Sequence, residues 1–296
     1  AIINNPLYIL CIMDTIGLIC KDDVELVGHS LFNNYRKALA NYFTESKFID
    51  ISNDNKIEKL KIINLLIIID EHFEPHHKIW KDDYFIDKIN ETDTQVLVIN
   101  FEKIYNSAFP WNIDHQNKLE TIKNLTQFIS DVEDLKFKNS NFLTKQLLSR
   151  DTTLIENSNK KKDRIVFIGQ SEGPQYNRRR DFLNSVNSKI PLDIITTGRK
   201  LTYEKFLQTL SEYNYVLNLL GCGDFVNLRF YEALELGCMP IQQITPIMQE
   251  LYKKELEYSI TFTNKEDILS LREFKRMNYY LEDYFEEINL KKILNF

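Results

Sequence analysis

Residues 215–241 read YVLNLLGCGDFVNLRFYEALELGCMPI, and the parsing of this stretch decides the fold. Residues 215–220 are a short apolar run ending at Gly221, the pattern of a strand buried on both faces of a parallel sheet. Gly221-Cys222-Gly223-Asp224 reads as a turn, because two glycines permit backbone angles that other residues resist. From about Asn227 to Leu236 the period is helical, with Leu228, Tyr231 and Leu234 on one face. Gly237 stands where a C′ glycine ends a helix, and residues 239–244 start another strand. The unit is strand, glycine turn, helix, glycine, strand.

The alternation extends in both directions. Upstream lie a strand at 165–168, a helix at 177–186, a strand at 192–196 and a helix at 203–210. Downstream lie a helix at 246–254, a strand at 258–262, a helix at 265–274 and a Tyr- and Leu-rich amphipathic segment at 277–294. Residues 150–163 turn polar and charged with little periodicity, which predicts a domain boundary. Before it, strands are expected at 8–14, 47–51, 62–70 and 95–101, with 62–70 central because it is the longest apolar run. Residues around Gly17 and Gly28 read as turn-prone, and helices are expected at 30–43, 115–129 and 141–148. The expected fold class is α/β, two Rossmann-like domains with a ligand cleft between them. The first spans 1–155 and the second 156–274. The terminal helix, 275–296, is expected to pack back on the first, because its Tyr/Leu stripe needs an apolar surface.

At 296 residues, 43% apolar and 27% charged, the chain has the composition of a globular protein of two ordinary domains. Its net charge of −6 argues against nucleic acid or an anionic membrane as the main partner. Cys11, Cys20, Cys222 and Cys238 lack the spacing of a zinc site and sit in apolar contexts, so they read as free thiols of a reducing compartment. The N-terminus has no basic region or cleavage site of a signal peptide, and no run reaches the about 20 apolar residues of a spanning helix. A cytoplasmic location is therefore expected. The chain begins at Ala1 and is compatible with being one domain of a longer protein.

In parallel sheets, ligands bind at the carboxyl ends of the strands, which selects the candidate residues. Arg229 lies in the first turn of the central helix, where the macrodipole disfavours a cation unless an anion is present. Glu232 follows one turn later and could accept from sugar hydroxyls; both also read as a solvated helix face, with Asp224 as a cap. Gly169-Gln170-Ser171-Glu172-Gly173 follows the first strand of the second half, without the spacing of a dinucleotide fingerprint or a Walker lysine. A glycine turn backed by arginines suits a diphosphate. Arg199 after the next strand is the better placed cation, whereas Arg179 and Arg180 read as a solvated helix face. In the first half, Asp14, Asp70 and Glu71 are the candidates for a general base, each also readable as structural. His76-His77 lacks metal-ligand spacing, and no Asp-x-Asp follows a strand, so no metal is expected.

Asp224 and Glu232, separated by seven residues and followed by Ala-Leu-Glu-Leu-Gly-Cys-Met-Pro-Ile, resemble the acidic-x7-Glu signature of GT-B glycosyltransferases of the group 1 and exostosin-like type. The likeness is specific over about residues 166–247. It implies a metal-independent enzyme that moves a hexosyl or pentosyl unit from a UDP- or GDP-sugar to a glycan or other hydroxyl acceptor, with no cofactor. Glu232 takes the ribose role, and Asp224, where Glu is commoner, lies near the donor sugar or its phosphates. Arg199 matches a basic position of that family, and Gly169, Gln170, Gly223, Asn227 and Arg229 complete the expected donor site. Two rivals share the plan, a sugar-nucleotide epimerase and a non-catalytic glycan-binding or regulatory module.

Overall fold

The computed structural model describes residues 15–19, 39, 47–50, 54–70, 83–100, 104, 111–142, 161–173, 176–196, 201–221 and 223–271. These form two parallel sheets, each in its own compact unit. Most of the expected boundary at 150–163 and all of the terminal segment 275–296 lie outside the described residues.

The first sheet contains β1 (Thr15–Ile19), β2 (Lys47–Asp50), β3 (Leu65–Asp70), β4 (Gln95–Asn100), β5 (Leu125–Ile129) and β6 (Ser140–Phe142). Its order is β2-β1-β3-β4-β5-β6, with every neighbouring pair parallel. The apolar sequences of β3 and β4 follow from their central place, where both faces are covered. Helices α1 (Asp83–Asn90) and α2 (Trp111–Leu119) contribute Phe85, Ile86, Ile89 and Leu119 to the core formed with Leu66, Ile68, Val96 and Val98.

Three sequence expectations for this sheet are corrected. Residues 15–19 are a strand, not a turn, and all five are buried. Gly17 is there for close approach: a Cβ at this position would lie 2.6 Å from Ile63 Cδ1 and 3.1 Å from Leu66 Cδ1. Gly17→Ala should therefore cost about 1–3 kcal/mol of stability, the usual range for overpacking, read as a lower urea midpoint. An unchanged midpoint would mean that Ile63 gives way freely. Residues 115–129 are not one helix: α2 stops at Leu119 and β5 follows a turn. Leu119, Ile122, Leu125 and Phe128 recur every three residues and imitate a helical stripe, yet Leu119 is buried from α2, Ile122 from the turn, and Leu125 and Phe128 from β5. Within 141–148, Asn141 and Phe142 are strand residues paired with β5, and the rest lies outside the described residues. The short helix α1 has no counterpart among the sequence expectations.

The second sheet contains β7 (Lys162–Gly169), β8 (Leu192–Thr196), β9 (Tyr213–Asn218), β10 (Met239–Gln243) and β11 (Ile260–Phe262), in the order β11-β10-β9-β7-β8. Its helices are α3 (Asn177–Val186), α4 (Tyr203–Ser211), α5 (Leu228–Glu235), α6 (Pro246–Leu251), α7 (Lys253–Leu256) and α8 (Lys265–Leu269). Strand alternation sorts the core into two layers. Ile165, Phe167, Tyr215 and Leu217 pack with Leu183 of α3 and Ile268 of α8. Val166, Ile168 and Val216 face the other way, toward Phe206 and Leu210 of α4 and Ala233 of α5. The sheet is thus covered on both faces. From β7 the chain goes to β8 on one side and then to β9 on the other, so the order reverses between β7 and β9. The carboxyl ends of these two strands mark the position at which open α/β sheets bind ligands.

Candidate functional site

The chain leaving β9 turns into α5 through Asn227, the N-cap, whose side chain accepts from the Arg229 N–H at 3.1 Å. The Asn227 amide also donates to the Leu219 carbonyl at 3.4 Å, fastening the helix start to the end of β9. Asn227, expected as a donor contact, is engaged in this capping, and Asp224 is not the cap. At the other end Gly237 has φ +65°, with its N–H on the Leu234 carbonyl and that of Cys238 on the Ala233 carbonyl. This is a Schellman stop, as the glycine position implies.

Arg229 and Glu232 both turn inward from α5. The Arg229 guanidinium lies over the Phe206 ring, 5.5 Å from its centroid. It also lies against Gly169 at the end of β7, where a Cβ would stand 3.0 Å from Nη1. The Nε is buried without a hydrogen-bond partner among the described residues. Burial depresses the Arg229 pKa from its ordinary value, and the Glu232 charge opposes that. Glu232 is only 4% exposed. Burial raises its carboxyl pKa to about 7, against the pull of Arg229 and the hydroxyl of Tyr203, which donates to it. A solvated helix face is thus excluded for Glu232.

The arginine run after β7 divides in the structure. Arg178 and Arg180 are exposed, and Arg180 donates to the Asn177 side chain at 2.6 Å. Arg179 is 8% exposed, which corrects its reading as a solvated residue. Its Nη1 donates to the Gln170 carbonyl at 2.8 Å and its Nη2 to the Leu220 carbonyl at 3.1 Å. The physical reason is helical phase: Arg179, Leu183 and Val186 form the buried stripe of α3.

Gly169 ends β7, Gln170 follows it, and Gly223 is buried in the turn after β9, so these donor-side candidates gather at the strand reversal with Asp224, Arg229 and Glu232. Asp70 ends β3 at the corresponding reversal of the first sheet, between β1 and β3. Asp14, Glu71 and Arg199 lie outside the described residues. The strand expected at 8–14, which places Asp14 at a strand end, also lies outside the described residues.

Two features escaped the sequence reading. Tyr203 reaches Glu232 from the neighbouring helix, a pairing that no spacing along the chain encodes. Inside the carboxyl end of β9, Asn218 is fully buried and donates to the Gln242 side chain at 2.6 Å. Gln243 accepts from the Leu220 N–H at 3.1 Å, so polar side chains shape the same strand ends. Among the described residues, no helix is long and apolar enough to cross a membrane.

No family model matches the chain, and no curated protein sequence matches it. Among solved structures it is similar to Arabidopsis thaliana UGT89C1 complexed with UDP-L-rhamnose, at 9% identity and TM-score 0.46, covering 95% of this chain and 93% of that one. It is also similar to an α1,3-fucosyltransferase with GDP-fucose, at 14% identity and TM-score 0.43, covering 95% of this chain and 90% of that one.

Proposed function

We propose that the chain is a nucleotide-sugar-dependent glycosyltransferase whose donor binds at the β7–β9 reversal of the second sheet. The observation that carries this reading is the inward pair on α5, the buried Glu232 carboxyl one turn from the Arg229 guanidinium. A sugar nucleotide brings a diphosphate and a ribose diol, and the pair offers a partner to each. The α5 N-terminus and Arg229 supply positive charge for the diphosphate. The Glu232 carboxylate accepts from ribose hydroxyls, exchanging its Tyr203 contact or sharing it.

In the transfer, the acceptor oxygen attacks the anomeric carbon while the bond from that carbon to the phosphate oxygen breaks. The acceptor proton goes to a base, for which Asp14, Asp70 and Glu71 are the candidates. The nucleoside diphosphate leaves with a charge that Arg229 and the helix dipole stabilise without a metal ion.

A thermal-shift panel of UDP-sugars, GDP-sugars and nucleoside-monophosphate-linked sugars tests the proposal. A true donor at 100 times its Kd stabilises by about 2.7 kcal/mol, which raises the melting temperature by several degrees. No shift with any compound of the panel at millimolar concentration overturns the reading.

A further inference from the structure

The structure assigns Arg179 as a positioning residue that sets the spacing of the two strand ends at the β7–β9 reversal. This inference rests on the proposed donor site and deepens it. The guanidinium joins the Gln170 carbonyl just after β7 to the Leu220 carbonyl just after β9, at 2.8 and 3.1 Å, with a longer 3.5 Å contact to the Leu219 carbonyl. The two strands are parallel neighbours, and the ladder between them runs to Val166 and Val216. Beyond that level, carbonyls that turn away from the ladder need another donor, and the planar fork of one arginine serves both loops. Aromatic rings hold the fork from Phe167 and Tyr176, with centroids 5.7 and 4.9 Å from the guanidinium carbon. Gly221 is close enough that a Cβ would contact Nη2 at 3.5 Å.

The clamp reaches α5 through a shared acceptor. The Leu219 carbonyl that Arg179 touches also accepts from Asn227, and Asn227 caps the helix that carries Arg229 and Glu232. Arg179 touches backbone and not the donor in this arrangement, so its effect on binding passes through the loops. Lysine keeps the charge but lacks the fork that spans separate carbonyls. Glutamine keeps a planar amide without the charge.

Hydrogen–deuterium exchange of wild type, Arg179→Lys and Arg179→Gln tests the clamp without any ligand. Amides of residues 170–173, 219–221 and 227–230 should exchange about tenfold faster in whichever variants fold, while β10 and β11 keep their protection. Acceleration confined to α3, or spread evenly over the second sheet, overturns the assignment. UDP and GDP then serve as probes in calorimetric titration. For a nucleotide that binds wild type, Arg179→Lys should raise Kd about tenfold, and adding Asn227→Ala should cost less than the sum of the two single losses. An unchanged Kd with altered exchange overturns positioning. If neither nucleotide binds wild type, the UDP- and GDP-sugar forms of the glycosyltransferase reading fail, and the exchange pattern alone decides the clamp.

Discussion

Glu232→Gln is expected to be more stable than wild type at pH 8 by about 3 kcal/mol, and close to it near pH 4.5. The ordinary carboxyl value is 4.5, and burial in the folded chain lifts it to about 7. Every tenfold change in a group's acidity between the folded and unfolded states is worth about 1.4 kcal/mol. Between these two values the folded state holds a proton that the unfolded state has released, so stability falls as pH rises. The contribution is fully present below the unfolded value and is lost as pH climbs through about 7. Glutamine has no proton to lose and fits the same space, and its carbonyl oxygen can accept from Tyr203. Unfolding in urea at pH 5 and pH 8 measures the difference. A gap between variant and wild type that stays constant over this range would show that the Glu232 carboxyl is not held protonated.

The second sheet was largely legible because its apolar blocks are short and bounded by glycine or by capping residues. Residues 177–186 and 192–196 have the ends that the sequence pattern implies, and Gly237 marks the stop of α5. The first sheet was less legible where a local signal pointed to the wrong element. Gly17 reads as a turn residue in isolation, and only the neighbouring Ile63 and Leu66 side chains explain a glycine inside β1. The spacing of Leu119, Ile122 and Leu125 satisfies a helix period, although pairing with β4 draws Leu125 into a strand. In the site, residue type and spacing singled out Glu232 and Arg229 but did not show that both face inward. Arg179 carried a usable signal: it stands four residues before Leu183 and seven before Val186, in phase with the buried stripe. Three consecutive arginines hid that phase.

Glu232→Gln should also lose about 100-fold in kcat/KM for the donor, the opposite sign from its effect on stability. Hydrogen bonds to a charged group contribute about 1.5–3 kcal/mol each, and neutral ones about 0.5–1.5. Exchanging a carboxylate for an amide against two ribose hydroxyls therefore costs about 2–3 kcal/mol, or roughly 100-fold. Glutamine is the cleaner substitution here. Because Glu232 is 4% exposed, Glu232→Ala would empty a buried space and remove the acceptor of Tyr203, which mixes a folding defect with a binding one. Wild-type donor affinity should rise as pH increases through about 7, since the hydroxyls bind the ionised form, and the glutamine variant should show no such step. Arg180→Ala, which alters an exposed side chain, should shift affinity by only a few tenths of a kcal/mol. Wild-type kinetics in Glu232→Gln, together with its higher stability at pH 8, would remove Glu232 from the donor site. A carboxylate kept buried at a cost in stability, with the cost recovered only when a ligand's hydroxyls reach it, is what a binding residue predicts and a structural one does not.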